Sequence, residues 1–170
     1  MSTTATLVSV QEFLRLSDKP AFEFQNGILR QKPLPTWKHS LLQARIAHLL
    51  MSGQPEILAG SELTVRVRPG RYLVPDVAAQ WRAQIQDPYP TEPIPLCVEV
   101  LSPDDRLSEA IAKGEEYHEW GVPMVWIIDP DQRLAWEFAA AQPVLPVSPL
   151  GHITAPGIRI QLPELFTILD

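Results

Sequence analysis

Leu96-Cys97-Val98-Glu99-Val100-Leu101-Ser102-Pro103 reads as a β-strand that is apolar on both faces, the pattern of a strand near the centre of its sheet. One carboxylate interrupts it. Side chains alternate along a strand, so Glu99 shares a face with Cys97 and Leu101. An ionised carboxylate against an apolar wall is costly unless a cation pairs with it or a metal takes it. What Glu99 faces is therefore the question on which the fold and the chemistry both turn.

Downstream, Ser102-Pro103-Asp104-Asp105 caps a helix that runs to about Trp120, and Gly121 stops it. Leu107, Ile111 and His118 are placed to face the sheet, with Arg106, Ala110, Lys113 and Tyr117 as a neighbouring stripe. Met124-Val125-Trp126-Ile127-Ile128 is a second fully apolar strand. Asp129-Pro130-Asp131-Gln132 then turns it into Leu134-Ala135-Trp136-Glu137-Phe138. The strand–helix–strand unit over 96–128 is a crossover, so its two strands are expected to be parallel, with a right-handed connection. From Pro143 onward the chain reads as loop, with a weak strand over 158–162 and a closing turn at Glu164-Leu165-Phe166 docked on the core.

Upstream, Ser9 and Glu12 form a capping box for a short helix over 10–16. Phe22-Glu23-Phe24 and Ile28-Leu29-Arg30 flank Gln25-Asn26-Gly27, a hairpin signal. By alternation alone, Glu23 faces solvent. Thr36 caps a helix over 37–52 whose apolar face is Leu41, Leu42, Ile46, Leu49 and Leu50. His39 and His48 are not at ligand spacing and read as surface or interface residues rather than zinc ligands. Strands follow at 56–59, at Leu63-Thr64-Val65-Arg66-Val67-Arg68 and, after the Pro69-Gly70 turn, over 72–79. Pro75 weakens that last ladder and implies an edge, bulge or bend, and Asp76 follows it at a point where a side chain can be re-aimed. The Pro-rich segment 84–95 is a loop.

Composition bounds the function. The chain has 170 residues, 45% hydrophobic and 20% charged, which suits one domain over 1–170 with a real core. No apolar run approaches the ~20 residues of a membrane helix. Residues 1–7 lack the basic region and apolar core of a secretion signal. The one cysteine, Cys97, permits no intramolecular disulfide and reads as a small buried hydrophobe. The cytoplasm is the expected compartment. A net charge of −6 argues against bulk attraction to nucleic acid or to an anionic membrane, and leaves room for a local basic patch. Arg66, Arg68 and Arg71, with Arg30, Lys32 and Lys38, are the candidates for one, with a solvated face as the plainer reading. Trp120, Trp126 and Trp136 read as core rather than as base-stacking platforms.

Asp76 lies at an irregular point of one strand, Glu99 on the next core strand, and Lys113 on the helix after it. Two carboxylates from neighbouring strands can bind a hard cation such as Mg²⁺ when the substrate supplies phosphate oxygen. The metal polarises the phosphoryl group, and a lysine beside it orients water or offsets transition-state charge. The competing reading is that Glu99 pairs with Lys113 or Arg106 and serves only to fix the fold.

Five short elements in order carry a resemblance. They are Phe22-Glu23-Phe24-Gln25-Asn26-Gly27, Pro75-Asp76-Val77, Val98-Glu99-Val100-Leu101-Ser102-Pro103, Lys113 with Tyr117 and Gly121-Val122, and Trp126-Ile127-Ile128-Asp129-Pro130. Together they resemble the Uma-type endonuclease family, a branch of the PD-(D/E)XK restriction-endonuclease-like superfamily, over roughly residues 8 to 168. The resemblance implies an α/β (α+β) fold, a mixed central β-sheet flanked by helices, with a metal site at one edge of the sheet. It implies that Asp76 and Glu99 are the two motif acids and bind Mg²⁺, with Mn²⁺ as a substitute. The superfamily's lysine usually stands two residues after the second acid, where this chain has Leu101. The resemblance moves that role to Lys113 and adds Glu23 as a further acid. Tyr117, Ser102 and Asp129 match family positions too; Asp129 reads as a turn cap and Tyr117 as a support for the lysine. The function implied is a metal-dependent endonuclease on DNA, and because a nuclease that cuts both strands often works as a two-fold dimer, a homodimer is expected. The alternative is a non-catalytic nucleic-acid- or protein-binding module that retains the nuclease fold.

Overall fold

The computed structural model describes residues 7–170. Residues 1–6, most of the stretch expected to lack a secretion signal, lie outside the described residues. The Ser9 capping box forms: Ser9 Oγ accepts from the Glu12 N–H at 3.2 Å, and the Glu12 carboxylate accepts from the Ser9 N–H at 2.8 Å. The helix it starts, α1 (Val10–Phe13), is one turn rather than the two expected. Only Phe13 finds a buried place, against Phe24 and Tyr72, while Leu14 and Leu16 stay exposed.

The hairpin β1 (Phe22–Gln25) and β2 (Ile28–Gln31) closes through Asn26 and Gly27, both at positive φ (47° and 91°) as a two-residue loop with the strands' own twist requires. Helix α2 (Trp37–Gly53) starts where Thr36 accepts from the His39 N–H. Strands β3 (Ile57–Ser61), β4 (Val65–Arg68), β5 (Arg71–Leu73) and β6 (Val77–Trp81) follow. After the loop come β7 (Leu96–Val100), α3 (Leu107–Trp120), β8 (Met124–Asp129) and β9 (Leu134–Ala139). The chain ends with β10 (Leu145–Pro146), β11 (His152–Ala155), β12 (Ile158–Gln161) and α4 (Leu162–Phe166).

The strands order as β10-β9-β8-β7-β6-β3 in a six-stranded sheet and as β2-β1-β5-β4 in a four-stranded one, with β11-β12 as a separate hairpin. The large sheet is mixed: β7 and β8 pair in parallel around the α3 crossover, and their other neighbours run antiparallel. Period-2 alternation divides β7 between two cores. Leu96, Val98 and Val100 pack with Leu42, Ile46 and Leu50 of α2 and with the C-terminal Ile153, Leu162 and Phe166. Cys97 and Leu101 pack on the other face with Ala110, Tyr117, Val125 and Phe138. Burial pushes the Cys97 thiol well up, and the Glu99 charge adds to this, so it behaves as an inert apolar group.

Three expectations are corrected. Residues 72–79 are not one strand. Pro75 cannot donate to a ladder, and at 74–76 the chain leaves the four-stranded sheet (β5) for the six-stranded one (β6), so Asp76 sits at the junction of the two sheets. Ser102-Pro103-Asp104-Asp105 forms a turn closed by the Ser102 N–H donating to Asp105, and the N-cap of α3 is Arg106, which makes no side-chain cap bond. On α3 the expected Leu107, Ile111 and His118 do pack toward the sheet, half-buried, beside the buried Ala110, Gly114 and Tyr117. Glycine fits there because a Cβ on Gly114 would stand 2.9 Å from the Phe138 ring, which would have to shift. The segment before Ile158 is a strand, not loop: β11 pairs with β12 across Pro156-Gly157, and the Trp126 indole N–H donates to the Thr154 carbonyl at 2.7 Å to hold the hairpin down. No helix among the described residues is long and apolar enough to cross a membrane.

Candidate active site

β6 and β7 pair with Val77 opposite Val98 and Ala78 opposite Cys97. One further step in that register sets Asp76 opposite Glu99. Both acids lie at the end of the ladder, where a cleft opens between α2, α3 and the small sheet; Glu23, Lys32, His39 and Lys113 line the same cleft. Glu23, Asp76 and Glu99 are each buried, at 7%, 2% and 7% exposure, so each carboxylate needs partners.

The partners form one connected network. The Lys113 ammonium stands 2.6 Å from Glu23 Oε1, 3.0 Å from Glu99 Oε1 and 3.1 Å from Glu99 Oε2, and donates to the Val74 carbonyl at 3.2 Å. The Tyr117 hydroxyl donates to Glu99 Oε1 at 2.7 Å, and the Val74 N–H donates to Glu23 at 3.3 Å. Lys32 meets Asp76 Oδ1 at 2.6 Å and also donates to the Val74 carbonyl, at 3.0 Å. Gln43 donates to Asp76 Oδ1 at 3.3 Å; the Val100 N–H donates to Oδ2 at 2.7 Å, and His39 Nε2 lies 3.3 Å from the same oxygen. The Val74-Pro75-Asp76 junction thus supplies a carbonyl, an N–H and a carboxylate to one centre. The break in the strand is what turns them inward.

The environments separate the acids. Burial alone would raise Asp76, but the His39 hydrogen bond and the charges of Lys32, His39 and Lys113 outweigh it and hold the carboxyl well below the usual range. Glu99 goes the other way. Burial dominates and pushes it up to about 6; Lys113 opposes this, and the neighbouring Asp76 charge reinforces it. Burial works against the Lys113 ammonium, yet the Glu99, Glu23 and Asp76 charges prevail and raise its pKa. The Tyr117 hydroxyl is pushed well up by burial and by the Glu99 charge, and so remains a donor.

The structure brings Asp76, Glu99, Lys113 and Glu23 together in this cleft. It corrects three details. Glu23 is buried, not solvent-facing, because its strand is roofed by Lys113 and the Val74 backbone. His39 is buried at 5% exposure and turned onto Asp76, not at the surface; it lies on the α2 stripe of His39, Gln43, Ile46 and Leu50, whose helical spacing was the readable signal. Tyr117 supports the lysine as expected, its ring under the Lys113 ammonium at 5.9 Å, and its hydroxyl also donates to Glu99. Arg106 is exposed at the start of α3 and is not the partner of Glu99. Lys32 and Gln43 are site residues that sequence reasoning missed. Asp129 caps its turn as expected, accepting from the N–H groups of Asp131 and Gln132.

The basic stripe is largely paired internally. Arg68 and Arg71 both meet Glu116 (3.2 and 2.6 Å), Lys38 meets Asp131 (2.7 Å), and an irregularity in the β4–β5 register separates Arg66 from Arg68. Seven carboxylates and five Lys or Arg side chains line the cleft, so it carries excess negative charge. The donors there are oxygens, which suit a hard divalent cation, and the ammonium groups against Asp76, Glu23 and Glu99 show that positive charge is what the pocket takes. Among the described residues no group of three or more His, Cys, Asp or Glu side chains converges as a ready-made metal cage. A Mg²⁺ site built from two carboxylates, water and substrate oxygen does not need one.

The fold and the cleft define a class: a mixed sheet flanked by helices, with acids and a lysine gathered where two strands meet at the sheet's end. Residues 10–158 match the Uma2 family, described as "Putative restriction endonuclease", and the chain belongs to that family. The membership supports a nuclease role in general. The fold is similar to a crystal structure described as "a putative nuclease belonging to DUF820 from Anabaena variabilis ATCC 29413", with 24% identity, a TM-score of 0.82, and coverage of 96% of this chain and 99% of that one. No curated protein matches the chain.

Proposed function

We propose that the protein is a divalent-metal-dependent endonuclease that hydrolyses phosphodiester bonds of DNA, with Asp76 and Glu99 as metal ligands and Lys113 and Glu23 as their catalytic partners. The observation that carries this reading is the single Lys113 ammonium held between Glu23 and Glu99 in the cleft that also contains Asp76. Mg²⁺, or Mn²⁺ in its place, would supply Lewis acidity toward a phosphoryl oxygen and lower the pKa of a water. The chain's own residues do the rest. Asp76, held ionised across the neutral range, offers a fixed charge. Glu99, titrating near 6, is ionised above that pH, and the Tyr117 hydroxyl fixes its orientation. Lys113 is positioned to offset charge on the phosphoryl oxygens as water attacks phosphorus and the P–O bond to the leaving alkoxide breaks. Glu23 holds the ammonium in place. A cleft rich in carboxylates repels a phosphodiester until a dication offsets them, which supports metal dependence. Cutting both strands calls for two such sites, and a two-fold homodimer in the cytoplasm is the assembly we propose.

A second reading is a binding module that keeps the fold without catalysis. The internal pairing of all three carboxylates favours it. Nicking of supercoiled plasmid by the purified protein separates the two. The enzyme reading expects Mg²⁺- or Mn²⁺-dependent nicking, abolished by chelator and by Glu99→Ala. No nicking by wild type above the Glu99→Ala control, over several metals and substrates, contradicts it and favours the binding module.

A further inference from the structure

We infer that Lys32 is a built-in stand-in for the metal ion: its ammonium closes the coordination position on Asp76 and must swing out before a divalent cation can bind there. The inference rests on reading the cleft as a divalent-metal centre and adds how access to it is controlled.

A carboxylate offers about four lone-pair positions. Asp76 has four neighbours on them: Lys32 and Gln43 on Oδ1 (2.6 and 3.3 Å), and the Val100 N–H and His39 on Oδ2 (2.7 and 3.3 Å). A cation arriving at Asp76 must displace one. The Val100 N–H belongs to the central strand β7 and cannot turn away without unpairing it. His39 and Gln43 stand one turn apart on the buried face of α2, at 5% and 8% exposure, anchored by Leu42 and Ile46. Lys32 differs from all three. It follows the last residue of β2, an edge strand, and reaches Asp76 only through a flexible stem, with its side chain 12% exposed. Its other acceptor, the Val74 carbonyl, keeps the Lys113 ammonium at 3.2 Å when Lys32 leaves. Departure therefore strands no buried group except Asp76, which the incoming cation satisfies.

Charge points the same way. The Lys32 and Lys113 ammonium groups crowd one cluster of carboxylates, Glu23, Asp76 and Glu99. Two ammonium groups donating to one carbonyl also repel each other, and the exchange removes one of them. Lys32 acts as a competitor tied to the site, so the apparent metal affinity is the intrinsic one reduced by the fraction of molecules with Lys32 swung out.

The test is Mn²⁺ titration by calorimetry of wild type, Lys32→Met, Asp76→Asn and the double variant. Lys32→Met keeps most of the stem and removes the charge; thermal melting establishes that it is folded. It should bind Mn²⁺ about tenfold tighter or more, the gain expected if Lys32 is swung out about one-tenth of the time or less, and Asp76→Asn should abolish the gain. As a second measurement on the unmutated protein, NMR of ¹³Cε-labelled lysine under Mg²⁺ titration should show the Lys32 signal moving to that of a solvated lysine. Binding by Lys32→Met alone, with none by wild type, also supports the inference. Asp76-dependent binding of equal strength in wild type and Lys32→Met, with an unmoved Lys32 signal, overturns the inference and leaves the metal centre standing. No binding by either protein overturns both.

Discussion

Replacing Lys113 with Met removes the ammonium that two buried carboxylates share. Glu23 and Glu99 are each 7% exposed, and the donors left to them are the Val74 N–H and the Tyr117 hydroxyl. Breaking a buried ion pair by deleting one partner costs about 3–5 kcal/mol, because the remaining charge is uncompensated. Two acids share this cation, so the upper part of that range applies at neutral pH and above. The cost depends on pH with a definite sign. Burial already raises Glu99 from 4.5 to about 6, against the pull of Lys113; without Lys113 it moves higher. An acid whose pKa is higher in the folded state holds a proton that the unfolded chain has lost. The contribution of Glu99 to stability is present below its unfolded pKa and is lost as pH rises through the folded pKa, by about 1.4 kcal/mol per pH unit. The Lys113→Met penalty should therefore be small near pH 5 and full near pH 8. Urea unfolding of wild type and variant at both pH values measures it. A penalty below about 1 kcal/mol near pH 8, or one equal at both pH values, would refute the argument that this lysine stabilises two buried charges.

Protonated Glu99 cannot serve as a ligand, so the metal-induced rise in Tm should be present near pH 7.5 and fade as pH falls below about 6, by roughly tenfold in affinity per pH unit; thermal melts with and without Mn²⁺ across that range check it. Gly114→Ala gains about 1 kcal/mol of helix propensity. Its Cβ would stand 2.9 Å from a Phe138 ring atom, with the ring held edge-on to His118, and overpacking of about 1–3 kcal/mol wins; a small net loss in denaturant stability is expected, and a gain would contradict it.

The fold was legible where a local signal agreed with the final packing. Alternation in Leu96-Cys97-Val98-Glu99-Val100 placed alternate residues against α2 and α3, and Asn26-Gly27 and Thr36 marked a turn and a cap that form as expected. The reading failed where a residue's meaning depends on distant chain. Pro75 signalled an irregularity, but that the chain changes sheets there depends on where β1 and β7 lie. On α3 the expected Leu107, Ile111 and His118 pack against the core, but that its deepest positions are Ala110, Gly114 and Tyr117 depends on the close approach of Phe138. In the site, Glu99 declared itself as a charge on an apolar strand. Lys32 did not, because its partner Asp76 is 44 residues away and nothing near residue 32 requires a buried cation. His39 was readable in principle, since it continues the buried stripe of α2 toward the cleft.

The central claim is that Asp76 and Glu99 hold one divalent cation. Anomalous diffraction from crystals grown with Mn²⁺ tests it most directly. The account predicts one strong peak about 2.1 Å from a carboxylate oxygen of each residue, with Lys113 still bonded to Glu23. A site that stays empty at saturating Mn²⁺ near pH 7.5, or a peak that touches neither acid, would contradict it.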